Sequence, residues 1–236
     1  EGKKVINLMT PLLLENDQEE GILEAARAFA NFSRCPKLRD YLSVARSDEI
    51  FVLLLEHENR DIVMSVCGVL MNLAACDEGK QLLRSKDTEG ISKLLCVVRD
   101  AGTNDLEMST LACKVLHNAC LDGKNAASID QMGGIAVIKR ISNSLDELVD
   151  VVEDIINDEV DDQKDEFGDY MEDDHDLELE RGFLEVGSSL LKLLSAYNLN
   201  SNIEDKDNDI EMDDMIPLSE TEDDGKEGNN SSSRKK

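Results

Sequence analysis

The sequence predicts an all-α fold made of a repeated helical unit, and three observations carry that prediction. An apolar pattern recurs about Asn31, Asn72 and Asn118, anchors separated by 41 and then 46 residues. No segment shows the period-two alternation of a strand. The composition, 41% apolar but only 3% aromatic and without Trp, points to a core of Leu, Ile, Val, Ala, Cys and Met in closely packed helices.

The elements follow in order. Lys3 to Leu14 reads as the second helix of a partial first unit. Each later unit opens after a long helix that ends at its Asn anchor: Ile62, Val66, Val69, Leu70 and Leu73, then Met108, Leu111, Ala112, Val115, Leu116 and Ala119, recur at the three-and-four spacing of one buried face. Matched positions run through all three copies. Ala25, Val66 and Ala112 stand six residues before the anchor, Ala26, Cys67 and Cys113 five before, and Phe29, Leu70 and Leu116 two before. Leu42, Leu83 and Ile129 stand eleven after it, on a short helix that Pro36 opens in the first copy, where proline is tolerated at the first helical position. A further helix begins at Asp48-Glu49-Ile50, Glu89-Gly90-Ile91 or Gly133-Gly134-Ile135, with Gly marking the corner and Leu53, Leu94 or Ile138 three residues past each Ile. Leu177 to Tyr197, with Phe183, Val186, Leu190, Leu191 and Leu194 on one face, reads as a last long helix.

Charge divides the chain. With 52 acidic and 25 basic residues the net charge is −27, of which residues 1–145 hold only −4. Residues 158–176 and 203–227 are acidic low-complexity runs that bury too little apolar surface to offset their ordering entropy. The expected organisation is repeats over 1–157, a disordered acidic loop over 158–176, the last helix over 177–198 and a disordered acidic tail over 199–236. The chain opens Glu1-Gly2-Lys3-Lys4 and is expected to be a piece of a longer one.

Several functions are excluded on chemical grounds. Phosphate binding needs clustered Lys and Arg, so nucleic acid and anionic membrane surfaces are not expected partners. Apolar runs such as Val52 to Leu55 fall far short of the ~20 residues that span a bilayer. The six cysteines (Cys35, Cys67, Cys76, Cys96, Cys113, Cys120) form no C-x-x-C pair, and His57, His117 and His175 do not cluster with them, so no metal is expected. They read as small buried hydrophobes in a reducing cytosol. Asp205 to Asp209 imitates the start of a calcium loop, but Ile210 and Ile216 stand where that loop needs Gly and Glu. His117 lies near Cys113 and Cys120 without any activating group, so no catalytic residue, cofactor or small-molecule substrate is expected, and the chain is not read as an enzyme. Ser219 and Thr221 carry an acid three residues on and suit an acid-directed kinase, and Asn31-Phe32-Ser33 is a glycosylation triplet without meaning in a cytosolic helix.

The three-helix unit of about forty residues, with A-x-x-L-x-N late in its long helix and G-G-I at the next corner, resembles the armadillo repeat. The motif stands as CGVLMNLA (67–74), CKVLHNAC (113–120), ARAFANFS (26–33) and MGGIAVIK (132–139). The last helix departs from it, with Ala196 where Asn would fall. The resemblance implies a right-handed α-solenoid whose third helices line a protein-binding groove. It implies that Asn31, Asn72 and Asn118 present their amides to an extended peptide, with His117 and Lys114 beside them. The alternative is that each Asn satisfies carbonyls near its own helix end or supports the next helix, since Asn is a poor helix former that competes for backbone hydrogen bonds.

The runs ARAFANFSR with LRDYL, CGVLMNLAACDEGKQLL, GISKLLCVVRDAGTNDLEMSTLACKVLHN and LELERGFLEVGSSLLKLL look, in order and gap, like the C-terminal repeats of a ciliary member of that family. That resemblance implies an adaptor in the cytoplasm and the axoneme of cilia and flagella. Its partners would be radial spoke or other axonemal proteins, and intraflagellar transport proteins. The alternative is a cytosolic armadillo receptor for extended peptides or small GTPases; the missing Trp counts against a nuclear-import receptor.

Overall fold

The computed structural model describes residues 1–15, 18–145 and 173–210, with side chains placed in the last stretch over 177–198. Among the described residues every regular element is helical: α1 Gly2–Met9, α2 Glu19–Phe32, α3 Pro36–Val44, α4 Asp48–Leu53, α5 Arg60–Leu73, α6 Asp77–Arg84, α7 Gly90–Ala101, α8 Leu106–Ala119, α9 Gly123–Gln131, α10 over residues 134–145, and α11 Asp173–Ile210. Short 3-10 turns follow α1 at Thr10–Leu14, around Pro11, and α4 at Leu54–Glu56. Residues 1–200 form one compact unit; of the other, from Ser201 on, only the end of α11 is described.

The repeat reads directly onto this order. α2, α5 and α8 each end one residue past their Asn anchor, α3, α6 and α9 are the short first helices of the units that follow, and α4, α7 and α10 are the second helices. Third helices stack on one another, α2 on α5 and α5 on α8. The matched positions make one continuous core: Ala25, Ala26, Phe29, Leu42, Val66, Cys67, Leu70, Leu83, Ala112, Cys113, Leu116 and Ile129 are all buried. Phe29 packs edge-on against Phe51 with ring centroids 5.2 Å apart.

Three expectations change. Leu53, matched to the buried Leu94 and Ile138, is 58% exposed, because α4 ends there and the chain tightens into a 3-10 turn. The corners do not all turn on glycine: Arg46 and Glu89 take the left-handed conformation in the first two units, and Gly133 does so only in the third. Gly90 is needed for space instead, since a Cβ there would lie 2.9 Å from the Leu83 Cα. The last helix overruns its expected bounds of 177–198 at both ends, so the segment expected to be a disordered tail opens as helix, to Ile210. Residues 146–172 and 211–236, which hold most of the expected acidic loop and tail, lie outside the described residues.

Burial alone pushes the Cys67, Cys113 and Cys120 thiols up to about 12. An unfolded thiol ionises near ~8.5, so above that pH the unfolded chain sheds protons that the folded chain keeps. Stability present below pH ~8.5 is therefore expected to fall toward pH 12, at up to ~1.4 kcal/mol per pH unit for each thiol. Urea unfolding between pH 8 and 10.5 checks it: a Cys67→Ala/Cys113→Ala variant should lose stability with a shallower slope than the parent.

Candidate protein-binding groove

The third helices line the candidate groove, and side-chain caps set the starts of two of them, α5 and α8. Asn59 accepts from the Asp61 and Ile62 amides at the head of α5, and Asp105 accepts from the Met108 amide at the head of α8. Both caps also tie units together. Asn59 Nδ2 donates to Glu19 at 3.0 Å, and Arg60 donates to Asp105 at 2.8 Å and Glu107 at 2.9 Å. These two carboxylates hold the Arg60 guanidinium above its ordinary pKa, and Arg60 holds the Asp105 carboxyl below its own. The pairing sets register more than stability, since Arg60 is half exposed.

At the other end of the helices stand the Asn anchors, and each donates differently. Asn72 Nδ2 reaches the Ala30 carbonyl at 3.3 Å and the Ser33 hydroxyl at 2.9 Å; Asn118 Nδ2 reaches the Met71 carbonyl at 3.1 Å. Ala30 and Met71 lie in the last turns of α2 and α5, where helix carbonyls lack partners within the helix. Asn72 and Asn118 thus cap the C-terminus of the preceding third helix. Asn31 is exposed and donates to the Arg27 carbonyl of its own helix at 3.3 Å. Arg39 of α3 adds a bond to the Asn72 carbonyl at 3.2 Å.

This geometry grades three substitutions. Asn72→Ala removes two bonds at a half-buried site and should cost about 1–2 kcal/mol, Asn118→Ala about 1, and Asn31→Ala within about 0.5. Thermal denaturation of the three variants should rank them in that order; equal losses would mean that the cross-unit bonds contribute nothing.

The structure brings three of the five expected groove residues together. Lys114, His117 and Asn118 of α8 line a cavity of ≈ 280 Å³ with Met71 of α5 and Glu185, Val186 and Ser189 of α11. His117 Nε2 and the Ser189 hydroxyl share a hydrogen bond of 3.0 Å, which joins α8 to α11 across 72 residues. Lys114 is exposed at the cavity. Asn31 and Asn72 lie outside it. Sequence pattern missed Ser189 and Glu185: they sit on a helix that lacks the Asn anchor, so nothing marked its groove face. Among the described residues no group of His, Cys, Asp and Glu is placed to hold a metal ion, and no helix is long and apolar enough to cross a membrane.

No family model matches the chain. Two curated relatives do, both named armadillo repeat-containing protein 2: the Bos taurus protein is 31% identical over 195 residues, and the Mus musculus protein 32% over 196. Each alignment covers 82% of this chain but only 21% of the relative, so the chain spans about a fifth of the length of these proteins. Among solved structures, a designed armadillo repeat protein matches with a TM-score of 0.50 at 16% identity, over 79% of this chain and 80% of that one. An engineered protein matches with a TM-score of 0.57 at 19% identity, over 80% and 37%. Helix order, the repeated anchors and these likenesses agree: the chain belongs to the armadillo-repeat family.

Proposed function

We propose that this chain is a non-enzymatic adaptor whose third helices hold a segment of another protein, and that it serves the assembly of cilia and flagella by linking or delivering radial spokes to the axoneme. The observation that supports protein binding is the open cavity between α8 and α11, whose Lys114, His117 and Glu185 offer charge and hydrogen bonds beside the apolar Met71 and Val186. A solenoid concentrates such cavities along one continuous surface. Both Asn72 amide protons are engaged between units, so Asn72 offers a bound backbone its Oδ1 acceptor, whereas Asn118 commits one proton to the Met71 carbonyl and keeps a second N–H as well as Oδ1. The ciliary part of the reading rests on the resemblance of the ordered segments to a ciliary armadillo protein.

The test is immunoprecipitation of the tagged full chain from flagellated cells, with mass spectrometry, against a Lys114→Glu variant. Lys114 is exposed, so its reversal leaves the fold intact. Radial spoke or intraflagellar transport proteins recovered with the parent and lost with the variant are the expected result. Recovery of small GTPases or cargo peptides without ciliary proteins would replace the ciliary role with that of a cytosolic receptor. Equal recovery by both proteins would move the site away from the cavity.

A further inference from the structure

A second cleft, of ≈ 490 Å³, lies on α3, α4, α6 and residues 85–88, and no residue of a third helix lines it. Asp48, the first residue of α4, stands in its wall at 5% exposure. A carboxylate withdrawn from water is ordinarily met by a cation. Asp48 has instead the Glu49 amide, 3.1 Å from Oδ1, and the Ser43 hydroxyl. Arg46, the base that lines the cleft, is turned to Glu49 at 2.6 Å. Loss of hydration raises the Asp48 carboxyl above the usual carboxylate range, ahead of the hydrogen bonds that lower it. Glu78 and Asp87 complete a cleft with four carboxylates against one base, on a repeat region whose net charge over residues 1–145 is only −4.

The arrangement of that charge selects its counterpart. Among the described residues no group of His, Cys, Asp and Glu is placed to hold a metal ion, and a compact ammonium would meet the acids one at a time. The lining also has an apolar part, Leu53 and Leu82, beside the polar Ser43, Gln81, Ser85 and Thr88. Leu53 is 58% exposed here, whereas Leu94 and Ile138, its matches in the next units, are buried. An extended cation with an apolar stem and donors spread in one plane meets both features, and among side chains that is arginine.

We propose that this cleft is a docking surface for an arginine side chain from a basic segment of a partner protein. The guanidinium lies on Asp48 and the rim carboxylates, and its stem lies on Leu53. The cleft shares no residue with the α8–α11 cavity, so either surface stands without the other.

The experiment titrates the isotope-labelled full chain with a blocked seven-residue peptide carrying one arginine between two leucines, followed by amide chemical shifts. The expected result is shifts at Ser43, Asp48, Ser85 and Thr88 that vanish when citrulline replaces arginine and shrink when lysine does. Asp48→Asn should weaken the peptide by about ten-fold or more while raising the melting temperature, because it removes a desolvated charge and a binding group together. The exposed Glu78→Gln provides a second variant that does not touch the buried wall, and it should also weaken binding. Shifts confined to other acidic segments, the same cleft shifts with calcium chloride alone, or unchanged affinity in both variants would overturn the proposal.

Discussion

Gly79→Ala is expected to lower the melting temperature by roughly 6–12 °C, the effect of about 3 kcal/mol in a chain of this size. Gly79 lies in the first turn of α6, where that helix crosses the end of α5. A Cβ at this position would stand 2.0 Å from the Leu73 carbonyl oxygen and 2.4 Å from its carbon. Both atoms are backbone, so no rotamer relieves the clash; either α6 moves off α5 or the last turn of α5 unwinds. Both leave the Leu83 and Leu73 side chains, now buried, badly packed. Gly182→Ala is the matched control, because nothing lies within 4 Å of its Cβ position and it sits inside α11. That change should stabilise by about 0.5–1 kcal/mol through helix propensity. Scanning calorimetry of the pair decides: similar melting temperatures would mean that α6 and α5 do not meet backbone to backbone.

Phe183→Ala should have the second large effect, and it should be local. Phe183 is fully buried at the start of the described contacts of α11, one turn before Gly187, whose Cβ position lies 3.4 Å from Ile138. Truncating a buried phenylalanine costs about 3–5 kcal/mol. In a repeat protein each unit contacts only its neighbours, so the loss falls on the last helix while α2, α5 and α8 keep theirs. Trypsin should then cut at Arg181 and Lys192, with far-ultraviolet helicity reduced only by the share of α11. The α8–α11 cavity loses its Glu185, Val186 and Ser189 wall in the same variant, so groove binding should go with it. Unchanged protease resistance, or one cooperative collapse of the whole fold, would contradict this.

The repeat was legible because stacking imposes the same packing demand at each period: Ala26, Cys67 and Cys113 meet equivalent neighbours and are equally buried. What pattern does not carry is the partner. The late Asn residues were visible as anchors, but whether an amide meets a ligand or a carbonyl 42 or 47 residues back depends on how far one helix slides along the next. Gly79 sits in a short polar helix and resembles a surface glycine until the Leu73 carbonyl is placed against it. Leu53 fits the repeat by position and escapes the core because its helix is only six residues long. Asp48 looks like an ordinary acid at a helix start, and nothing in the pattern marks it as buried at 5% exposure beside the Ser43 hydroxyl.

The hydrogen bond between His117 and Ser189 closes 72 residues of chain, against 47 for the bond between Asn118 and Met71. Closure entropy grows only with the logarithm of length, so the longer span costs on the order of 0.4 kcal/mol more. What holds α11 in place is therefore its buried face, Phe183, Leu190 and Leu194, and not the length of chain that leads to it, so that contacts rather than the tether set the stability of this end of the solenoid.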